Sequence, residues 1–455
     1  MSKNHEIEDL LQSLSQEELI HIIAQVAEQD KVFRNGLLVK YTKGNHSKQL
    51  KSCQKLIDSI VKKYTGREGL IPYRETHNFT TELLAVLQDA DKTADALLEL
   101  EIALLVLEEG IEAFQYADDS NGNIGMLVGV TLEQIGVIAN NMDEQDASVH
   151  EHIFNRLLHM SENRVFDGWD DFRIELLSIC AGIADTKQLR ETLRVTIEKQ
   201  IASNANQDFG QSTMEALLKI LFQLIQEYGS IEEAESFVQK HLHFTFFRAW
   251  AIEENIEHGN YQRALELAEE GERQDHKLPG RVTKWKGAKY AAYKKLSSRN
   301  EQEKLAKELL LDGDYAYYHE LESLFEGDKE DLYRSILPEL KETDKWRTRD
   351  VYLRLISEKN DLAEMLAYVK ANPYVIEEYA SRLSAEYCEE VEQIYSNQIY
   401  KDAAAAANRK QYRSTCSMLK RYKKIFGQEN QAAIIAQLKT QYNRRPAFLD
   451  ELEML

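Results

Sequence analysis

The sequence predicts an all-α chain, an α-solenoid of stacked helical hairpins, and three observations carry that prediction. Leu, Ala, Glu, Gln and Lys dominate the 455 residues, with 20 Gly and 5 Pro, so strong helix formers abound and breakers are few. No sustained alternation of apolar and polar residues marks a half-buried strand. Beyond Phe244, turn signals recur at Gly259-Asn260, Ser297-Ser298, Gly313-Asp314, Gly327-Asp328, Glu342-Thr343, Lys359-Asn360, Asn372-Pro373 and Gly427-Gln428. They cut helices of roughly 10 to 20 residues, and pairing these gives a repeat of roughly 34 residues, TPR-like or HEAT-like in architecture without a tetratricopeptide consensus throughout. Three regions are expected: 1–66, helical with a basic segment; 67–205, acidic and helical; and 206–455, the repeat solenoid.

The elements follow in order. Ser15-Gln16-Glu17-Glu18 spells a capping box, Leu14 and Leu19 can staple it, and Leu19, Ile22, Ile23 and Val26 repeat at helical spacing. The opening LSQEEL invites a helix-turn-helix, but no small-residue turn leads into a recognition helix. Gly66 to Pro72 breaks the pattern. Leu97 to Leu107 is apolar on nearly every face and predicts a helix covered on several sides. Asp118-Asp119-Ser120-Asn121-Gly122-Asn123 resembles a calcium loop only superficially. With Gly122 as the turn glycine, the first and twelfth ligand positions are Ala117 and Val128, so a helix-connecting turn is expected. Trp169 reads as an aromatic anchor at a helix start, and the polar run Ser203 to Ser212 as a linker. Gly259-Asn260 opens an amphipathic helix running to Gly271. Asn372-Pro373 predicts another, with Asn372 as N-cap and Ile376, Tyr379, Ala380 and Leu383 on one face. Sixteen of 22 tyrosines lie between Tyr290 and Tyr442, where packing between layers is expected ahead of base stacking.

The net charge of −21 hides two basic segments. Lys31 to Arg67 holds ten Lys and Arg against Asp58 alone, and Tyr400 to Pro446 holds eleven against Asp402 and Glu429; each is +9, leaving −39 elsewhere. Fifteen carboxylates meet one lysine, Lys92, between Asp89 and Glu151. Solvated helix faces are the plain reading, and a polyanion-binding surface the sharper one. Cys53, Cys180, Cys388 and Cys416 are far apart and read as small hydrophobes in a reducing compartment. The N-terminus lacks a signal-peptide apolar core, and acids interrupt the apolar stretches before they could span a bilayer, so a cytoplasmic protein without membrane contact is expected.

No HExxH, GxSxG, P-loop or GxGxxG occurs. His150 and His152, like His241 and His243, are two apart and would diverge on a helix. Adjacent carboxylates such as Asp170-Asp171 and Glu232-Glu233 suit caps better than a shared proton. The expectation is a protein that is not an enzyme and holds no cofactor or metal.

Arg409-Lys410-Gln411-Tyr412, with Tyr442-Asn443-Arg444-Arg445-Pro446-Ala447-Phe448-Leu449-Asp450-Glu451-Leu452, resembles the helical region that follows the zinc finger in bacterial SWIM-type zinc finger proteins. The resemblance runs from about Ala264 onward, and LSQEELIHIIAQVAEQD is similar to the start of that region. The CxC and CxH pairs of the finger are missing, so binding through it does not carry over. The resemblance implies a helical scaffold whose relatives are linked with helicase-like, nucleic-acid-handling partners. The leading expectation is a noncatalytic scaffold for a protein or peptide partner. A nucleic-acid-associated accessory protein is second, using segments 31–67 and 400–446, with Arg409, Lys410, Arg413, Lys420, Arg421, Lys423, Lys424, Arg444 and Arg445 as phosphate contacts. A peptide-sensing regulator is third.

Overall fold

The computed structural model describes residues 3–41, 45–90, 95–141, 147–204, 210–342 and 345–455. Thr343, Lys43, Lys92 and the middle of the expected linker at 203–212 lie outside the described residues. The chain forms two compact units, Met1–Phe247 and Arg248–Leu455. The sequence expectation set divisions after 66 and 205.

The first unit contains α1 (Lys3–Ser13), α2 (Gln16–Gln29), α3 (Lys31–Tyr41), α4 (His46–Thr65), α5 (Tyr73–Ala90), α6 (Ala96–Glu112), α7 (Asn123–Asn140), α8 (Ala147–Ser161), α9 (Asp170–Gly182), α10 (Lys187–Asn204), α11 (Gln211–Tyr228) and α12 (Ile231–Lys240). The division falls inside α13 (Thr245–Glu257). The second unit continues with α14 (Tyr261–Gln274), α15 (Pro279–Lys295), α16 (Arg299–Leu311), α17 (Ala316–Leu324), α18 (Lys329–Lys341), α19 (Trp346–Glu358), α20 (Leu362–Ala371), α21 (Ile376–Leu383), α22 (Cys388–Ala405), α23 (Arg409–Gln441) and α24 (Pro446–Glu453). The protein is all-α. Among the described residues β-pairing amounts to one isolated bridge, Ile71 with Ala117.

Local chemistry starts and stops these helices. The Ser15 hydroxyl accepts from the Glu18 amide while the Glu18 carboxylate accepts from the Ser15 amide, which forms the capping box ahead of α2. Ser230 and Glu233 repeat the device at α12. The Asp118–Asn123 segment is a turn: Asp119 accepts the amides of Ile124 and Gly125 at 2.8 and 3.2 Å, and Gly122 takes the left-handed conformation. Trp169 directly precedes α9 and stacks on Phe114 with ring centroids 4.0 Å apart.

In the first unit α6 sits between two cores. Leu98, Ile102 and Val106, at four-residue spacing, pack with α4, α5 and the start of α7. Leu100, Leu104, Leu107 and Ile111 face a second cluster that runs through α8, α9, α10 and α11. Its near-continuous apolar run is the pattern that burial on opposite sides requires.

In the second unit helices adjacent in sequence pack on one another from α14 to α17 and from α18 to α24, and one core runs from Tyr290 of α15 to Leu452 of α24. Alternate helices begin at Tyr261, Arg299, Lys329, Leu362 and Cys388, steps of 38, 30, 33 and 26 residues, so the hairpins vary around the expected period. One expectation needs correction in part. Asn372 takes the N-cap position, with Pro373 following, of a 3-10 turn at Pro373–Val375 and not of the α-helix, and its side chain caps no amide but donates back to the Tyr368 carbonyl at 3.1 Å; α21 starts only at Ile376. Gly427, expected as a break between helices, is one: its φ of 89° and ψ of 173° are non-helical and divide α23 into two helical segments across a kink.

The tyrosine richness of the second unit has a repeated use. Tyr290 donates to Glu320, Tyr333 to Asp361, Tyr352 to Glu364 and Tyr422 to Glu392, at 2.7 to 2.9 Å, and Tyr315 bonds Glu358. Each hydroxyl reaches a carboxylate on a different helix or at its cap, so rings fill the core while their polar tips tie the layers together.

Candidate interaction surfaces

The predicted phosphate contacts divide into two groups. On α23, Arg409, Arg413, Lys420 and Lys424 fall within about 60° of arc at helical pitch, with Lys410, Arg421 and Lys423 flanking them. Thr415, Met418 and Tyr422 occupy the opposite, buried side. The helix is thus amphipathic with a basic outer ridge. Four of the nine residues are engaged within the unit. Arg409 and Arg413 both reach Glu451 of α24, at 2.7 and 3.1 Å. Hydrogen bonding from Arg409, then from Arg413, holds the Glu451 carboxyl below the usual range. Arg421 makes a two-pronged contact with Glu377. Arg445 donates to the carbonyls of Ala403 and Ala406 and lies over the Tyr442 ring. Lys410, Lys420, Lys423, Lys424 and Arg444 make no ion pair among the described residues, and all but the half-buried Lys423 are exposed.

The other basic segment builds a ridge of the same kind. Lys48, Lys51, Lys55 and Lys62 fall within about 60° of arc on α4, opposite the buried Cys53, Leu56, Ile57 and Ile60. Lys63 turns away from it to Glu82, which also accepts the Tyr64 hydroxyl at 2.8 Å.

A third surface escaped the sequence reading. Packing of α10 on α11 and of α11 on α12 leaves a groove of about 570 Å³ in the first unit, within the range of ligand-binding clefts. Its floor is apolar, formed by Leu221, Leu224, Ile225 and Phe237. Arg190, Arg194 and Lys187 stand on the rim with Glu191, Glu198 and Glu232. The Arg190 guanidinium lies 3.8 Å from the centre of the Tyr228 ring, close enough for a cation–π contact. Its Nη1 also donates to the carbonyls of Ala184 and Asp185, which fixes the guanidinium before any ligand arrives. Gly229 allows the tight exit from α11: a Cβ there would stand 2.7 Å from the Ile225 carbonyl oxygen. Arg190 and Tyr228 are far apart in the sequence. The available signal was the exposed Tyr228 set against the Gly229-Ser230 stop and restart.

The histidine pairs differ from their sequence description. His150 and His152 lie on α8, His150 within 3.7 Å of Asp185. His241 and His243 sit in the turn after α12, so divergence along a helix does not separate them; their rings are 6.2 Å apart. His241 is packed among Phe237, Phe244 and Phe247, and burial lowers its pKa. Among the described residues no group of three or more His, Cys, Asp or Glu is placed to hold a metal ion. Cys180 is fully buried, and burial pushes the Cys53 and Cys416 thiols up to about 11, away from thiolate chemistry. No described helix is long and apolar enough to cross a membrane.

No protein-family model matches the chain, and no curated protein matches it. Among solved structures the chain is similar to one described as a circular tandem repeat protein with novel repeat topology and enhanced subunit contact surfaces. The identity is 16%, over 96% of this chain and 87% of that one, with a TM-score of 0.16. A score at that level carries no structural argument, and the fold stands on the helices themselves.

Proposed function

We propose that the protein is a noncatalytic helical-repeat scaffold that binds a protein or peptide partner in the α10–α12 groove. The observation that carries this reading is the groove's make-up: an apolar floor, a rim of both charge signs, and an arginine already held over an exposed tyrosine. Apolar centre, charged rim and Tyr and Arg at the edge are the anatomy of protein interfaces. The ligand that fits is a segment with one or two apolar anchors flanked by charges. The test is recovery of partners from host lysate by the tagged full chain, with and without nuclease, beside Tyr228→Ala/Arg194→Glu. A nuclease-resistant partner held by the wild type and lost at least tenfold in the variant supports the reading. Equal recovery by both would place binding elsewhere.

A second reading, nucleic-acid association, is favoured by the two lysine ridges on α4 and α23, and the resemblance to SWIM-type proteins points the same way. Phosphate contacts by exposed lysines make affinity fall steeply with salt. Binding in an apolar groove lacks that dependence.

A further inference from the structure

The turn between α12 and α13 holds a histidine that has no place for a second proton. His241 packs among Phe237, Phe244 and Phe247, with ring centroids 4.6, 6.3 and 5.8 Å away, and its Nδ1 is buried without a hydrogen-bond partner. A neutral imidazole tolerates this, since one of its ring nitrogens carries no hydrogen. In the imidazolium both nitrogens donate, and a buried donor without an acceptor is destabilising. The charges acting on the ring, Lys240 of α12 and His243 of the turn, both oppose a positive charge there. The charged groups of the neighbouring helices are committed elsewhere. On α11, Glu215 accepts the Phe246 amide at 2.8 Å and Lys219 lies over the Phe246 ring; on α13, Arg248 donates to the Leu267 carbonyl and to Glu270.

One ring carries this strain to the groove. Phe237, in contact with His241, is part of the groove floor, and Ser236 and Lys240 of the same helix line its side. Phe222 and Phe247 hold the Phe237 ring from 5.9 and 5.7 Å. A protonated His241 finds water for Nδ1 only by leaving this cluster, and Phe237 then loses a neighbour. We propose that His241 is a proton switch on the α10–α12 groove: neutral, it holds α12 packed on α11; protonated, it leaves the aromatic cluster and α12 loosens. That this regulates binding rests on the groove being the binding site, as proposed above; the movement of α12 does not. Burial, then Lys240 and His243, lowers the His241 pKa from 6.5. A base whose folded pKa lies below its unfolded one contributes stability that is present above pH 6.5 and lost as pH falls towards the lower folded value. The groove wall is therefore firm at neutral pH and loosens in mildly acidic solution.

The experiment is hydrogen–deuterium exchange of the full chain at about pH 7.5 and about pH 5, on either side of the histidine range, read by mass spectrometry on α12 peptides. Labelling times are scaled to equal intrinsic exchange, and circular dichroism confirms that overall helicity is kept. Protection of α12 in the wild type is expected to fall at least tenfold at the lower pH. His241→Phe, which fills the cluster and accepts no proton, is expected to stay protected at both, while His243→Gln still opens. Exchange of the His241 ring C2 hydrogen in the wild type follows its protonation without any substitution, and its midpoint is expected to coincide with that of the opening. Equal protection of α12 at both pH values overturns the proposal, as does acid opening that persists in His241→Phe or a His241 midpoint separate from that of the opening. An α12 indifferent to pH, with partner capture still lost in Tyr228→Ala/Arg194→Glu, would sink this inference and leave the groove reading standing. Acid opening that depends on His241, with capture unaffected by that variant, would keep the switch and remove the groove as the binding site.

Discussion

Tyr395 donates its hydroxyl hydrogen to Glu377 at 2.9 Å, and the same carboxylate takes Nε and Nη2 of Arg421 at 2.7 and 2.8 Å. One carboxylate on α21 therefore joins α22 and α23. The arrangement recurs around Glu320, which accepts from Tyr290 and Lys294, and around Glu364, which accepts from Tyr352 and pairs with Lys341. A surface ion pair alone contributes little. Here a buried hydroxyl depends on the carboxylate, and losing the acceptor strands it.

The expected outcome follows from that asymmetry. Glu377→Ala leaves the fully buried Tyr395 hydroxyl without its acceptor and destabilises the protein by about 2 kcal/mol, whereas Tyr395→Phe removes donor and need together and costs about 1 kcal/mol. Urea denaturation of both variants and the double mutant measures the coupling. Glu377→Ala costing no more than Tyr395→Phe would show that the hydroxyl is satisfied some other way.

Gly271 ends the segment that first marked the repeat architecture. It is buried where α14 meets α15, and a Cβ there would stand 2.8 Å from the Trp285 ring and 2.9 Å from Cδ of Arg248. Neither neighbour can move freely: Trp285 donates to Asp275 at 2.8 Å, and Arg248, 5% exposed, donates to the Leu267 carbonyl and to Gln274. Gly271→Ala is expected to cost about 1–3 kcal/mol through overpacking, although alanine is the better helix former. A lower Tm with unchanged secondary structure is the signature, and a higher Tm would refute the close approach.

Helices, caps and turns were legible because they are written locally. Ser15 and Glu18 sit three residues apart, and the all-round apolar run at Leu97–Leu107 can only be buried. The basic ridge on α23 was also legible as a row of candidates. What the sequence could not show is which members are already occupied: Glu451 and Glu377, which engage Arg409, Arg413 and Arg421, lie 38 to 44 residues from them. The groove was invisible for the same reason, since its floor and rim come from three helices. Asn372 misled because its side chain had two backbone partners within reach and took the carbonyl behind it.

Acid titration should act in opposite directions at two sites. Burial raises the Glu109 carboxyl above its ordinary 4.5, helped by Glu112, Asp58 and Glu108 and opposed by the Tyr116 hydroxyl. A raised carboxyl contributes stability below pH 4.5 and loses it as pH climbs through the folded value. Glu109→Gln should therefore stabilise at neutral pH, chiefly by removing a buried charge and secondarily by relieving its acidic neighbours, with the gain fading towards pH 4. Glu320 behaves oppositely. Hydrogen bonds from Lys294, then Tyr290, hold it below 4.5, so its contribution is present above pH 4.5 and lost as pH falls through the lower folded value. Tm profiles of Glu109→Gln and Glu320→Gln against pH should diverge from the wild type at neutral pH with opposite signs. Parallel profiles would refute the assignment.

The α23 ridge decides between the two functional readings. If it binds a polyanion, Lys410, Lys420 and Lys424, the exposed α23 lysines without an ion pair among the described residues, can act without breaking an intrachain pair, because Arg409, Arg413, Arg421 and Arg445 are already engaged within the unit. Replacing the three lysines with Gln should leave the Tm within about 1 °C, since exposed charges contribute little to stability. The slope of log affinity for duplex DNA against log salt should fall by about 2–3, each phosphate contact being worth about 0.9. Arg421→Gln is the control that separates the roles: it should lower the Tm by releasing Glu377, with a smaller effect on the slope. Fluorescence anisotropy with a labelled duplex, between about 50 and 200 mM salt, measures both variants. A slope that the triple lysine variant leaves unchanged assigns the ridge to solvent and leaves the groove as the binding surface.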